Sequence, residues 1–360
     1  MSSSFTSNSP GNGKAGSLPA SMQAGLYYGA GDVRPVEQPV PEIGPAEVLV
    51  SVYACGICGS DTMAWYRERQ VKKLGGINTG HEVTGEIVKV GEQIQDRFQV
   101  GQRVIVTHHF PCLKCDRCLA GEETTCATMH NKHIAPGGFA QYLRVFESGL
   151  DLGLYPLPES MTYEMGTFVE PLGCVVRSVR KTQPVEGRSV LVIGSGLSGL
   201  LHIRMAKAMG AGNIIAVDTN QGRLDAAVAS GADQGILSSD PLPKADRVYL
   251  CTGAPSAARA ALEAINPAGY LMIFAADGPD KELSIPVTRF WLEQQRILFS
   301  YGAAPRDMRE AIDLISSGRV RVDDLVTHRF PLDQIGEAFE LATHPRDMSL
   351  KVLVEPHSTS

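Results

Sequence analysis

A short apolar run that ends in spaced glycines constrains this chain more than any other stretch. Residues 190–201 read VLVIGSGLSGLL. Val190 to Ile193 form a continuous, largely β-branched run that suits a strand buried on both faces. Gly194-x-Gly196-x-x-Gly199 follows, and apolar residues then recur at helical spacing at Leu200, Leu201, Met205, Ala206 and Met209. Strand, glycine turn and helix start, in that order, make a dinucleotide-binding element. Gly194 permits the tight turn, Gly196 lets the backbone approach a pyrophosphate, and Gly199 lets helix and strand pack closely. Leu197 lies at the start of the helix, whose N-terminus faces the phosphates. A second run, NIIAVD at 213–218, ends in Asp218 about twenty residues beyond the motif. A carboxylate there binds the ribose hydroxyls of NAD and repels the 2′-phosphate of NADP. Arg223 either stacks on the adenine or pairs with Asp218.

The chain has 360 residues, more than one ordinary core holds, so two domains are expected. Its 43% hydrophobic and 20% charged content is that of a soluble globular protein. A net charge of −6 argues against nucleic acid as a partner. No apolar run approaches the ~20 residues needed to span a membrane. Eight cysteines with no secretory apolar segment point to a reducing compartment, the cytoplasm.

Residues 1–21 are mostly Ser, Gly, Asn, Ala and Pro and are expected to be a disordered tail. Residues 22–180 read as a mainly β domain, with strands at 24–28, 47–54, 82–91, 102–107 and within 137–145. A Pro-rich link through Pro35, Pro39, Pro41 and Pro45 separates the first two. Residues 181–318 carry six strand candidates alternating with helices, the pattern of a doubly wound parallel sheet. Thr252, Phe274, Ala276 and Phe299, in its later strand segments, are taken as further cofactor-binding positions. Residues 319–360 are expected to return to the first domain through a strand, a helix near 333–342 and a closing strand at 351–354. The apolar edge strand at 297–301 offers pairing with a second copy, giving a homodimer or homotetramer.

Cys112-x2-Cys115-x2-Cys118-x7-Cys126 places four thiols within fifteen residues, enough to close a tetrahedral shell around a structural zinc. The surrounding lobe, about 108–130, has little core of its own, so a metal would supply its folding energy. Four free thiols, two disulfides or an iron–sulfur cluster are the other readings. A second, dispersed set consists of Cys55-Gly-Ile-Cys58-Gly-Ser60-Asp61, Gly80-His81-Glu82 and Val169-Glu170-Pro171.

With both metal motifs and the glycine loop in this order, and VTHRFPL at 326–332, residues 22–354 resemble the zinc-dependent medium-chain dehydrogenases. The likeness is greatest to their polyol (sorbitol-type) and threonine dehydrogenase branches. It implies a Rossmann domain joined to a GroES-like catalytic domain, NAD, and one catalytic besides one structural zinc. It further implies Cys58 and His81 as ligands of the catalytic zinc, with Glu170 or Glu82 as the third. Glu170 is favoured, because Glu82 follows His81 directly and is expected to point the other way, toward Lys351. Asp61 would orient His81, and Cys55 belongs to the core. The resemblance implies that Ser60 takes the proton of a secondary alcohol while its hydride passes to the nicotinamide.

The sequence departs from that pattern in two places. Met63 stands where the family's proton relay ends in His, and Ser300 stands where polyol dehydrogenases carry Arg. His109 matches a histidine that lies by the substrate in threonine dehydrogenases, or is a loop histidine, as are His108 and His130; His133 is a weaker pocket candidate. Cys174, one helical turn after Glu170, packs near the nicotinamide. The expected substrate is a small secondary alcohol: a polyol, cyclitol or aminocyclitol, or alternatively a 3-hydroxy amino acid. A silent zinc- and dinucleotide-binding protein is the reading from another class.

Overall fold

The computed structural model describes residues 18–276, 278–346 and 348–359. The strand Ser189–Ile193 lies inside a six-stranded parallel sheet, between Asn213–Asp218 and Ala245–Leu250. The sheet continues outward to Gln234–Leu237 on one side, and to Ile265–Ile273 and then Arg296–Phe299 on the other. Val190 and Val192 belong to one buried cluster, Leu191 and Ile193 to another on the opposite face. That two-sided burial is why the run carries no polar alternation. Helices Leu197–Ala208 and Gln221–Ala229 cover the first face, and Pro255–Glu263 covers the second.

The rest of the chain is mainly β, as expected. An eight-stranded sheet runs in the order Val326–Pro331, Lys351–Glu355, Val48–Gly56, Glu82–Val90, Arg103–Val106, Leu154–Pro156, with Tyr142–Val145 also on Val48–Gly56 and Ile134–Ala135 beside it. The segment after the parallel sheet therefore returns, pairing Leu353 with Gly56 and Val354 with Cys55. A smaller sheet joins Ser21–Gly29 to Asp32–Pro39 and Ile77–Asn78.

Three local readings change. The start of the Pro-rich link is a strand, Asp32–Pro39. It pairs on one side only, with Pro35 opposite Gly25 and Pro39 opposite Ser21. An edge strand tolerates proline because its outward N–H positions have no partner to lose. Ala64–Leu74, in a half read as β, is a helix. Lys72 and Lys73 suit its C-terminus, and Gly75 closes it at φ +75°. The strand placed within 137–145 covers only Tyr142–Val145, after the turn at Gly137 and Gly138. The expected tail, apart from residues 18–21, lies outside the described residues; Ser21 already pairs in a strand.

The two halves share a core. One buried cluster takes Ile105, Tyr155 and Phe168 from the catalytic half and Val190, Leu200 and Tyr249 from the nucleotide half. Helix Val169–Lys181 runs between them and packs on helix Pro305–Ser316.

Candidate active site

Antiparallel pairing builds the candidate metal centre. Val48–Gly56 and Glu82–Val90 pair so that Gly56 lies opposite Glu82. Cys58 follows the end of one strand and His81 precedes the start of the other, so the two meet. The Cys58, His81 and Glu82 donor atoms all lie within 4.8 Å of one another. Here the structure differs from the expectation that Glu82 points away from His81. Side-chain alternation holds within a strand, and His81 stands just outside one. Glu82 accepts from Lys351, and both are buried. Gly56 is required beneath them: a Cβ there would collide with both side chains.

Glu170 is not part of that close set. It opens helix Val169–Lys181, with Oε1 3.7 Å from the thiol of Cys174. Burial pushes its carboxyl above the usual range; the His81 and Lys351 charges oppose the shift and Glu82 adds to it. Asp61 is fully buried, accepts from Cys58 N (3.1 Å) and Arg67 (3.1 Å), and stands 3.6 Å from His81 Nδ1. That position turns the other ring nitrogen toward the cluster. Ser60 is half-buried beside it, its carbonyl accepting from Arg67 at 3.3 Å. Cys55 is buried in the core. Sequence reasoning missed Arg67 and Gly56. Arg67 stands on a helix for which the sequence reading placed no element, and nothing in the spacing marks Gly56 as different from any strand glycine.

The Cys112, Cys115, Cys118 and Cys126 sulfurs also lie within 4.8 Å of one another, with neighbours 3.5, 3.6 and 3.9 Å apart. Four ligands at ~2.3 Å in a tetrahedron stand about 3.8 Å apart, so the spacing fits zinc. None of the four forms a disulfide. Burial raises the Cys118 thiol, with the neighbouring thiols adding to it, whereas N–H groups bring Cys126 down. Four thiolates in one shell need a cation among them.

At the glycine turn, Gly194 has φ +95°, and a Cβ on Gly199 would collide with the Gly194 carbonyl. No side chain caps the helix beginning at Leu197, which leaves its first N–H groups for a phosphate. Asp218 is held by the N–H groups of Ser195 (2.8 Å) and Asn220 (3.0 Å). Among the described residues no ion pair joins it to Arg223, whose Nη1 instead lies 3.2 Å from where a Gly196 Cβ would be. Thr252 borders Gly194. Phe274 packs on His202 at 4.6 Å between ring centroids, and Ala276 follows in the same segment. Phe299 ends the outermost strand, its side chain 65% exposed.

This combination of centres has counterparts. A family model described as Alcohol dehydrogenase GroES-like domain matches residues 44–159, and one described as Zinc-binding dehydrogenase matches residues 199–317. A sorbitol dehydrogenase of Bombyx mori is 32% identical over 355 residues, covering 92% of this chain and 98% of its own length. The chain belongs to the zinc-dependent medium-chain alcohol dehydrogenases. Within the family its likeness is to the polyol branch, and it is an oxidoreductase that uses zinc and NAD(H). Among solved structures, 2R,3R-butanediol dehydrogenase from Bacillus subtilis matches with a TM-score of 0.80 at 26% identity, covering 93% of this chain and 100% of that one. Galactitol-1-phosphate dehydrogenase from Escherichia coli matches at 0.78 and 26%, with the same coverage.

Three further histidines continue outward from the candidate metal centre of this dehydrogenase. His108 packs on His81 (4.6 Å) and on His109 (3.4 Å), and His130 Nδ1 lies 3.3 Å from His109 Nε2. His133 packs on Phe110 and bonds Ser148. Ser300 is buried, with no hydrogen-bond partner for its hydroxyl among the described residues. Among them, too, no helix is long and apolar enough to cross a membrane.

Proposed function

We propose that the dehydrogenase oxidises a secondary alcohol on a polyhydroxylated small molecule, a polyol, cyclitol or aminocyclitol, or reduces the matching ketone. The convergence of Cys58, His81 and Glu82 carries this reading, with relatives named sorbitol dehydrogenase setting the substrate class. Cys58, His81 and Glu82 would hold the catalytic zinc, with the buried Glu170 carboxyl close enough to feel the His81 charge. Cys112, Cys115, Cys118 and Cys126 hold the structural one. Bound zinc supplies Lewis-acid polarisation of the alcohol oxygen. Asp61 fixes the His81 ring, Lys351 fixes Glu82, and Ser60 takes the hydroxyl proton.

Gly194, Gly196 and Gly199 admit the pyrophosphate to the helix at Leu197, and Asp218 takes the ribose hydroxyls of NAD. Thr252, Phe274, Ala276 and Phe299 are assigned to the cofactor side, and Arg223 to the adenine end. The catalytic domain spans 22–180 and 319–360, the nucleotide domain 181–318. The exposed Phe299 on the edge strand and Trp291 on the helix Val287–Leu292 before it support a homodimer or homotetramer, and the free cysteines support the cytoplasm.

NADH and NADPH formation with sorbitol, a cyclitol, an aminocyclitol and threonine tests this. Polyhydroxylated substrates should be oxidised, with NAD favoured by about tenfold or more because Asp218 repels a 2′-phosphate. His109 lies two ring contacts from His81, which favours threonine as the second reading; oxidation of threonine alone would select it.

A further inference from the structure

The cysteine lobe begins and ends beside a histidine. His109 stands three residues before Cys112, and His130 four residues after Cys126. The sulfurs of Cys112 and Cys126 lie 3.6 Å apart, so the segments entering and leaving the lobe meet at its base. That closure brings His109 Nε2 and His130 Nδ1 to 3.3 Å, with the ring planes 89° apart. Among the described residues this contact is the only hydrogen bond either ring makes, and no carboxylate bonds to either.

Two nitrogens bound to one tetrahedral zinc at ~2.0–2.1 Å stand about 3.3–3.4 Å apart. The histidine pair already has that separation. To ligate, the ring that donates the shared hydrogen bond carries its proton on the other nitrogen instead, where no protein acceptor or donor opposes the change. Burial, with the neighbouring imidazoles, holds His109 down at about 3, so this ring is neutral, the form that binds metal. The charge of Arg67 is felt at His109, but that guanidinium is paired with Asp61 at 3.1 Å. Two imidazoles without a carboxylate suit zinc, nickel or copper and offer little to magnesium or calcium.

We propose that His109 and His130 form a further metal site, a two-histidine clasp that takes zinc in excess of the two sites described above and obstructs the cleft when filled. The clasp lies on a row of rings that runs from His81 through His108 to His109, at 4.6 and 3.4 Å, and from His130 on to Tyr301 at 5.8 Å. Tyr301 follows the last strand of the nucleotide half, and its hydroxyl meets that of Tyr66 in helix Ala64–Leu74 at 2.6 Å. An ion in the clasp therefore stands between the candidate metal centre and a contact that joins the two halves. With two protein ligands it holds zinc more weakly than the sets of three and four, so the free zinc concentration governs its occupancy. The clasp stands on its own geometry; the obstruction rests on the alcohol dehydrogenase reading above.

The test dialyses the wild type and His130→Gln against excess zinc and counts bound metal by elemental analysis. Glutamine keeps a polar side chain at this exposed position and removes the imidazole. The wild type should hold one zinc more than the variant, and equal counts overturn the clasp. Sorbitol oxidation is then followed as zinc is added. At zinc about ten times the dissociation constant found by dialysis, the apparent KM of the wild type should rise about tenfold with kcat unchanged. In His130→Gln it should stay flat. Equal inhibition of both proteins overturns the obstruction. If no alcohol is oxidised, the proposed reaction fails and the metal count still decides the clasp.

Discussion

Lys351 and Glu82 are 0% and 1% exposed, and neither charge reaches water. Breaking a buried ion pair by removing one partner costs about 3–5 kcal/mol, because the survivor is left unpaired. Lys351→Met should therefore destabilise chelator-treated protein by that order. Zinc beside Glu82 would restore a counter-charge, so metal should stabilise the variant more than the wild type. Urea midpoints with and without chelator measure both effects; an equal gain from zinc in the two proteins would refute the proposed neighbourhood. At this scale much of the site was legible. The four lobe cysteines were marked by their spacing and Cys58 and His81 by the family resemblance, and the fold brings each set together. The orientation of Glu82 did not, since it depends on where the strand begins. His130 and Tyr301 sit 171 positions apart, and only the fold brings their rings to 5.8 Å.

The helix that follows the glycine turn carries a titratable group of its own. His202 is fully buried, bonded to Ser178 (2.9 Å) and to the Ser198 carbonyl (2.7 Å), and burial lowers it from 6.5 to about 4. The unfolded chain thus holds this proton at pH values where the folded chain does not. Stability falls as pH drops from about 6.5, and the loss is complete below about 4, at ~3 kcal/mol. His202→Gln should flatten the pH dependence of the denaturation midpoint between pH 7 and 4.5, and an unchanged slope would refute this. The elements were legible where period and burial agreed. The strand Ser189–Ile193 is central and apolar on both faces. Asp32–Pro39 was hidden because its prolines mark a link unless the strand is known to lie at an edge. Ala64–Leu74 was hidden because it lies in a half whose legible segments are strands.

Across the whole molecule, Arg177 ties three parts together. It is 2% exposed and reaches Glu123 (3.1 Å) and Glu122 (3.3 Å) in the cysteine lobe and Asp307 (3.8 Å) in helix Pro305–Ser316. Arg306 also meets Glu123, at 3.2 Å. Arg177→Met should destabilise the protein by less than the ~3–5 kcal/mol of a pair whose survivor is left alone, because Arg306 and Arg180 stay beside Glu123 and Asp307, and should loosen the lobe. The release of the lobe zinc to a chromogenic chelator should then be faster, and an unchanged rate would separate the lobe from this network. The pairing of Lys351 with Glu82 has a consequence of another kind. The two residues are 269 positions apart, with the entire parallel sheet between them. At roughly 5–20 residues per second, the ribosome makes Lys351 on the order of tens of seconds after Glu82. Through that interval the nascent chain holds the thiol, imidazole and carboxylate of the catalytic centre without the lysine. The candidate metal pocket is thus completed only after the residues of the parallel sheet have been made.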